Sequence, residues 1–402
     1  MLYFADVITH NEFIMRLSLP PFPTLLAGFV AVLVGYASSA AIIWQAADAA
    51  GATSHQIAGW LTMLGIAMGI STLGLTLWYR APILTAWSTP GAALLATSLP
   101  GHSLSEAIGI FIFASLLILI CGVTGLFARL MRLIPPTLSA AMLAGVLLRF
   151  GLDTFTSLQG HFLLGGSMLL GWLLAKVFAP RYAVVVAMLI GLLICLVTGE
   201  LHTGSVPVSV AVPEFTSPSF NVSSLLGIGV PFFLVTMASQ NAPGVATLAA
   251  SGYKVPVSPL IVVTALIALL LAPFGVFSVC IAAITAAICQ GAEAHPDKDK
   301  RWLAAAAAGV FYLIAGVFGG SISSLLTALP LAWIHTLAGL ALLGTIAGSL
   351  HQALNHERDR DAAIVTFLVT ASGVNLLGVS SAFWGVIAGG ICYTAFSRLK
   401  RA

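Results

Sequence analysis

Read for apolar and polar positions, the chain is a succession of long apolar runs separated by short polar connections. The runs are apolar on every face, with no single stripe, as expected of helices surrounded by apolar material. A helix that crosses a bilayer needs about 20 mainly apolar residues, and fewer when it is broken. On that rule the pattern predicts fourteen segments, at 22–47, 53–78, 82–98, 104–128, 135–151, 162–178, 182–199, 223–250, 256–271, 273–290, 301–320, 331–353, 361–377 and 380–397.

Two of these are interrupted. In segment three an extended start after Pro82 leads to Ser88, Thr89 and Pro90, a helix start with proline in the first turn. Segment ten runs through Pro273, Phe274, Gly275, Phe277 and Ser278 before a stretch of small residues, again an extended run and then a helix. Extended backbone inside a membrane has to pair with backbone and face protein, so the two stretches are expected to pair with each other. Their half-helices would then point N-termini at one spot, an anion cradle. Simple kinking by Pro and Gly is the alternative reading. Segment eight carries the most polar run, Ser239-Gln240-Asn241-Ala242-Pro243-Gly244, whose amides either glue helices together or bind a ligand. Segment one offers Ser38 and Ser39, which line a site or bond their own helix. Tyr36, Trp44, Trp87, Phe274 and Phe277 lie near the breaks, as ligand walls or as packing.

The two halves echo one another. Pro135-Pro136 followed by Leu143-Ala144-Gly145 returns as Pro330 followed by Leu337-Ala338-Gly339. Ala37-Ser38-Ser39 returns as Ala238-Ser239-Gln240, and Ala81-Pro82 as Ala272-Pro273. Seven spans per half is an odd number, so the halves enter the membrane in opposite senses, as in carriers that open a midplane site to each side in turn. The expected organisation is an N-terminal segment at 1–21, a first inverted repeat at 22–199, an external connection at 200–222, a second repeat at 223–397 and a C-terminus at 398–402.

Composition sharpens this picture. Hydrophobic residues make up 59% of the 402 and charged ones 7%, against roughly 25% charged in a soluble domain, so lipid is the surrounding medium. With both termini inside, fifteen of the sixteen Lys and Arg fall on the inner side, among them Arg16, Arg80, Arg129, Arg132, Lys298, Arg301, Lys400 and Arg401; only Arg149 lies outside. A net charge of +3 spread through short loops argues against nucleic acid as partner. No G-x-x-x-x-G-K-[ST] loop and no H-E-x-x-H occurs, and the five cysteines sit in apolar runs without C-x-x-C. An ATP motor, an enzyme, a metal site and a cofactor are therefore not expected. No Asp or Glu sits in the apolar interior, so the cargo is expected to be an anion or neutral. His335 is the deepest histidine, a proton relay or a structural histidine. Gly65-x-x-x-Gly69, Gly316-x-x-x-Gly320 and Gly385-x-x-x-Gly389 are expected at close helix contacts.

From about Pro21 onward the chain resembles the benzoate:proton symporter family of bacterial inner membranes. The strings that carry the resemblance are LLAGFVAVLVGYASSAAIIWQ from Leu25, LTAWSTPGAAL from Leu84, VTMASQNAPG from Val235 and EAHPDKD from Glu293. The resemblance implies an all-α polytopic protein of seven-plus-seven inverted repeats with core and gate domains, similar to nucleobase:cation symporters and sulfate-permease-like carriers, with a homodimer among the assemblies open to it. It implies proton-coupled uptake of benzoate or a similar aromatic carboxylate, with an anion channel on the same scaffold as the alternative. The substrate would lie between segments one, three, eight and ten, on Ser38, Ser39, Trp87, Ser88, Thr89, Gln240, Asn241 and Ser278, with His335 considered for proton coupling. Where nucleobase carriers have Ser-Glu-His-Ile-Gly-His, this chain has Gln240 in place of the acid and Gly244 in place of the second histidine, which suits a carboxylate ligand.

Overall fold

The computed structural model describes residues 20–126, 135–201, 210–376 and 380–399. Nearly all of the N-terminal segment, with Arg16, and also Arg129, Arg132, Lys400 and Arg401 lie outside the described residues.

Helix starts follow from local chemistry. α1 (Phe22–Ala49) begins behind Pro21 with a proline in its first turn. α2 (Ser54–Tyr79) and α4 (Leu104–Thr124) begin at capping boxes, Thr53 with Gln56 and Ser103 with Glu106, each satisfying two backbone donors reciprocally. Between them lie β1 (Thr85–Ala86) and α3 (Thr89–Ser98). α5 (Pro136–Thr156), α6 (Phe162–Phe178) and α7 (Ala183–Thr198) complete the first half. α8 (Val222–Ala249) widens into π turns at Leu225–Gly229 and Met237–Asn241. Each wide turn is followed by a proline, Pro231 or Pro243, which lacks the N–H that an α-helix needs. The Gly227 carbonyl, four residues before Pro231, takes the hydroxyl of Ser380 instead. α9 (Val257–Leu271), β2 (Cys280–Ile281), α10 (Ile284–Gln290), α11 (Trp302–Val317), α12 (Gly319–Ala328), α13 (Leu331–Leu354), α14 (Arg360–Ala371) and α15 (Ser381–Leu399) follow.

Among the described residues eight helices are long and apolar enough to cross a membrane, and α6, α7 and part of α15 are shorter apolar helices. The protein is a mostly helical, polytopic membrane protein. A helix occupies each of the fourteen stretches read from the pattern. α12 is an addition: it starts at the end of segment eleven and runs through 321–328, between the stretches read as segments eleven and twelve.

The interrupted stretches pair. β1 and β2 are antiparallel, Thr85 opposite Ile281 and Ala86 opposite Cys280, and the Ala282 N–H extends the contact to the Leu84 carbonyl at 2.9 Å. Neighbouring helices satisfy what the two-stranded ladder leaves open. The Thr85 N–H donates to Thr72 Oγ1 at 3.0 Å, and Thr76 Oγ1 donates to the Ile83 carbonyl at 2.8 Å, both from α2. Thr85 Oγ1 is within 2.6 Å of Ser71 Oγ. The Ile281 N–H donates to Asn241 Oδ1 at 3.0 Å, and the Ser88 N–H to Ser278 Oγ at 2.8 Å. Extended backbone persists here because every donor just named has a protein acceptor.

Helices pack in two groups. α2 lies along α11 and α12, α4 along α9, and α1 against α11, α3 and α10; in the other group α13 lies along α5, α14 along α5 and α15, and α6 along α7. α1 also touches α13 and α7, so the groups meet along α1. Gly65 packs on Gly316 so closely that a Cβ there would lie 2.5 Å from its Cα, and Gly385 and Gly389 pack on Thr370 and Thr366. On α11 and α12 it is Gly316 with Gly319 that meets Thr62.

Candidate functional site

Where the groups meet, α1, the starts of α3 and α10, the second π turn of α8, and α13 enclose a cavity of about 550 Å³, within the range of about 300–1,000 Å³ usual for small-molecule sites. Ser38, Ser39, Trp87, Thr89 and Gln240 line it, five of the eight substrate residues expected from the sequence.

Their geometry differs residue by residue. Ser39 Oγ lies 2.7 Å from Thr89 Oγ1, tying α1 to the start of α3. Ser38 Oγ donates to the Gly35 carbonyl of its own helix at 3.1 Å. Trp87 is 3% exposed and packs edge-on against Tyr36, ring centroids 4.9 Å apart. Gln240, half-buried on the π turn, lines the cavity and makes no hydrogen bond among the described residues.

Ser88, Asn241 and Ser278 stand behind this wall. The Ser88 hydroxyl accepts from the Gly91 N–H at 3.0 Å, while its own N–H goes to Ser278. Asn241 is fully buried, accepting from Ile281 and donating to the Met237 sulfur at 3.3 Å. Ser278 precedes β2, and the second half-helix begins only at Ile284, so Ser278 marks no helix start. α10 has seven residues and no side-chain cap, whereas the ten-residue α3 is capped by Ser88. His335 is half-buried in the first turn of α13 and does not line the cavity, whereas Thr345 of the same helix does. Of the aromatic residues near the breaks, Trp87 alone belongs to this wall; Phe277 packs with Phe111 and Phe232, Phe274 with Phe215.

The sequence reading named Ser239 in the polar run of segment eight without counting it among the substrate residues, and it missed Thr285 and Thr345; all three add hydroxyl-bearing residues to the wall. It also missed Gln290, which accepts from Ser251 Oγ at 2.9 Å and donates to the Pro82 carbonyl at 3.2 Å, anchoring the end of α10 to the start of the extended run. A polar residue in an apolar span was the available signal for all four.

Among the described residues the lining holds no Asp, Glu, His, Lys or Arg. Hydroxyls and one amide face an otherwise apolar wall of Val34, Trp87, Val184, Ile284, Ile288 and Leu342. Such a site can seat a small molecule with an apolar body and one hydrogen-bonding end.

Residues 19–395 match the BenE family, described as benzoate membrane transport protein. The inner membrane protein YdcO of Escherichia coli is 65% identical over 384 residues, 95% of this chain and 98% of its own length. A benzoate membrane transport protein of Acinetobacter baylyi is 38% identical over 368 residues, 92% of this chain and 93% of its own. Among solved structures, SLC26A9 matches with a TM-score of 0.60 at 13% identity, over 93% of this chain and 65% of that one. The transmembrane domain of the cyanobacterium bicarbonate transporter BicA matches at 0.58 and 12% identity, over 92% of this chain and 97% of that one. At such identities the likeness speaks for the fold, which extends over nearly the whole chain. By its family match and by these two relatives, this chain belongs to the BenE family of benzoate membrane transport proteins.

Proposed function

We propose that this membrane transporter is a secondary carrier that takes up benzoate or a similar aromatic carboxylate together with protons. The observation that carries the reading is the cavity wall: apolar and aromatic surface, no charged side chain among the described residues, and the unpartnered amide of Gln240. A carboxylate leaves water only where hydrogen bonds replace its hydration. Gln240 and the one hydroxyl hydrogen that the Ser39–Thr89 hydrogen bond leaves free supply donors, and the positive end of α3 adds a favourable potential. Ser38 and Trp87 complete the wall, while Ser88, Asn241 and Ser278 hold the two broken segments in place behind it. With no titratable side chain in the wall, entry of the acid with its own proton is the simplest coupling; a relay through His335 would act from outside the cavity.

The carrier reading includes fourteen spans in two inverted repeats, 22–199 and 223–397, with both termini cytoplasmic. Two observations support it. The paired breaks fall at matching places in the halves, and helix contacts recur in matching pairs: α2 with α11 answers α4 with α9, and α6 with α7 answers α14 with α15. The packing groups would then serve as core and gate, rocking about α1.

The test is uptake of labelled benzoate into proteoliposomes under an inward proton gradient. Accumulation that collapses when the gradient is dissipated is the expected result. Accumulation of other aromatic acids but not benzoate would replace the substrate and keep the mechanism. Flux that never accumulates would replace the carrier with an anion channel.

A further inference from the structure

A second cavity, of about 490 Å³, opens between α5, α8 and α13. Ser239, Pro243 and Thr345 line both cavities, so the two are neighbours that share these residues. The second cavity has its own polar set, Ser139 on α5 and Ser349 and Gln352 on α13, with apolar surface from Leu143, Val235 and Ala238. The side chains of Ser139, Ser349 and Gln352 make no hydrogen bond among the described residues, although Ser349 is 6% exposed. The Ser349 hydroxyl is open to the cavity and not sealed in the core, so a ligand group can reach it. Asp359, beside the same end of α5, accepts a hydrogen bond from Thr137 at 3.1 Å and is not part of the wall.

Resting on the reading of the cargo given above, we propose that this cavity is a second station for the aromatic carboxylate, separate from the central site. Ser349, Ser139 and Gln352 hold the carboxylate and Leu143 and Val235 cover the ring. The cargo passes between stations by way of Ser239 and Thr345. At the face of the protein that carries the α13–α14 turn, the station receives the cargo that the central site releases.

Binding of labelled benzoate to the purified full chain tests this. Wild-type protein should bind two molecules per chain with different affinities. Ser349→Ala combined with Gln352→Ala should weaken one of the two by tenfold or more and leave the other unchanged, while Gln240→Ala should do the converse. Gln352 is exposed, so Gln352→Ala alone folds and should still weaken that station severalfold. A single bound molecule, lost in Gln240→Ala, overturns the second station and leaves the central site standing. Two bound molecules, one sensitive to Ser349→Ala and neither to Gln240→Ala, overturn the central site and keep the station. No binding overturns both.

Discussion

Gln240 and Asn241 are neighbours of like chemistry, and the π turn that carries them sends their side chains to different tasks. Asn241 is wholly buried and takes the Ile281 N–H of β2, so it replaces a ladder partner that a two-residue strand cannot supply. Gln240 faces the cavity without a partner. Removing the Asn241 carbonyl leaves a buried N–H unpaired, at a cost of about 1–3 kcal/mol. Asn241→Ala should therefore lower the melting temperature of the purified protein and the yield of folded chain. Gln240→Ala should leave both unchanged and weaken benzoate binding about tenfold or more, since hydrogen bonds to charged groups contribute about 1.5–3 kcal/mol. Equal melting temperatures for the two variants would contradict this division, and undiminished affinity in Gln240→Ala would remove α8 from the site. Composition and pattern mark both amides as costly in a membrane. They do not say which one faces the cavity, because adjacent positions on a helix differ by about 100° and the π turn shifts that angle.

The broken segments are the elements on which the site depends, and their place was legible in sequence through Pro82, Ser88-Thr89-Pro90 and Pro273. Their pairing was legible too, because extended backbone in a membrane has few other solutions. The start of the second half-helix was not: Val279 to Ala283 is apolar and carries no capping side chain, so nothing in it marks Ile284 as the beginning. The hydroxyls of Ser71, Thr72 and Thr76 on α2 were equally silent, since a hydroxyl in a span commonly bonds its own helix. Their partners outside the helix, Thr85 for Ser71 and Thr72 and the Ile83 carbonyl for Thr76, are set by the tertiary fold. Gly244 shows why the place of a histidine in nucleobase carriers is empty here. A Cβ on Gly244 would lie 2.3 Å from the Ile281 carbonyl oxygen, a backbone atom with no freedom to move away. Gly244→Ala should push α8 off β2, costing about 1–3 kcal/mol as overpacking does and lowering transport more than Gln240→Ala does at saturating substrate. Wild-type melting and transport in Gly244→Ala would show that α8 and β2 are not in contact in the working protein.

For the whole molecule, the scarcity of charge in the sequence stands for two things at once. It marks the polytopic membrane protein, and it leaves a central cavity walled without acids or bases. The alternation of apolar runs located every helix except α12, because span length is set by the bilayer, which no tertiary contact overrides. The seam between packing groups could not be read that way, because both sides of it are apolar helices and only contacts distinguish them. Orientation is tested with an impermeant thiol reagent on a Cys392→Ser background. His161→Cys should react from outside intact cells and His356→Cys only after permeabilisation; the reverse pattern would invert the proposed topology. The central claim, that the cargo sits between α1, α3, α8 and α10, is tested most directly by a crystal structure with a bromobenzoate, located by the anomalous scattering of bromine. The account predicts a bromine peak inside the cavity bounded by Ser39, Trp87, Thr89 and Gln240, absent in Gln240→Ala at the same concentration. A peak confined to the apolar cavity lined by Phe29, Phe311 and Trp333, with the central cavity empty, would contradict it.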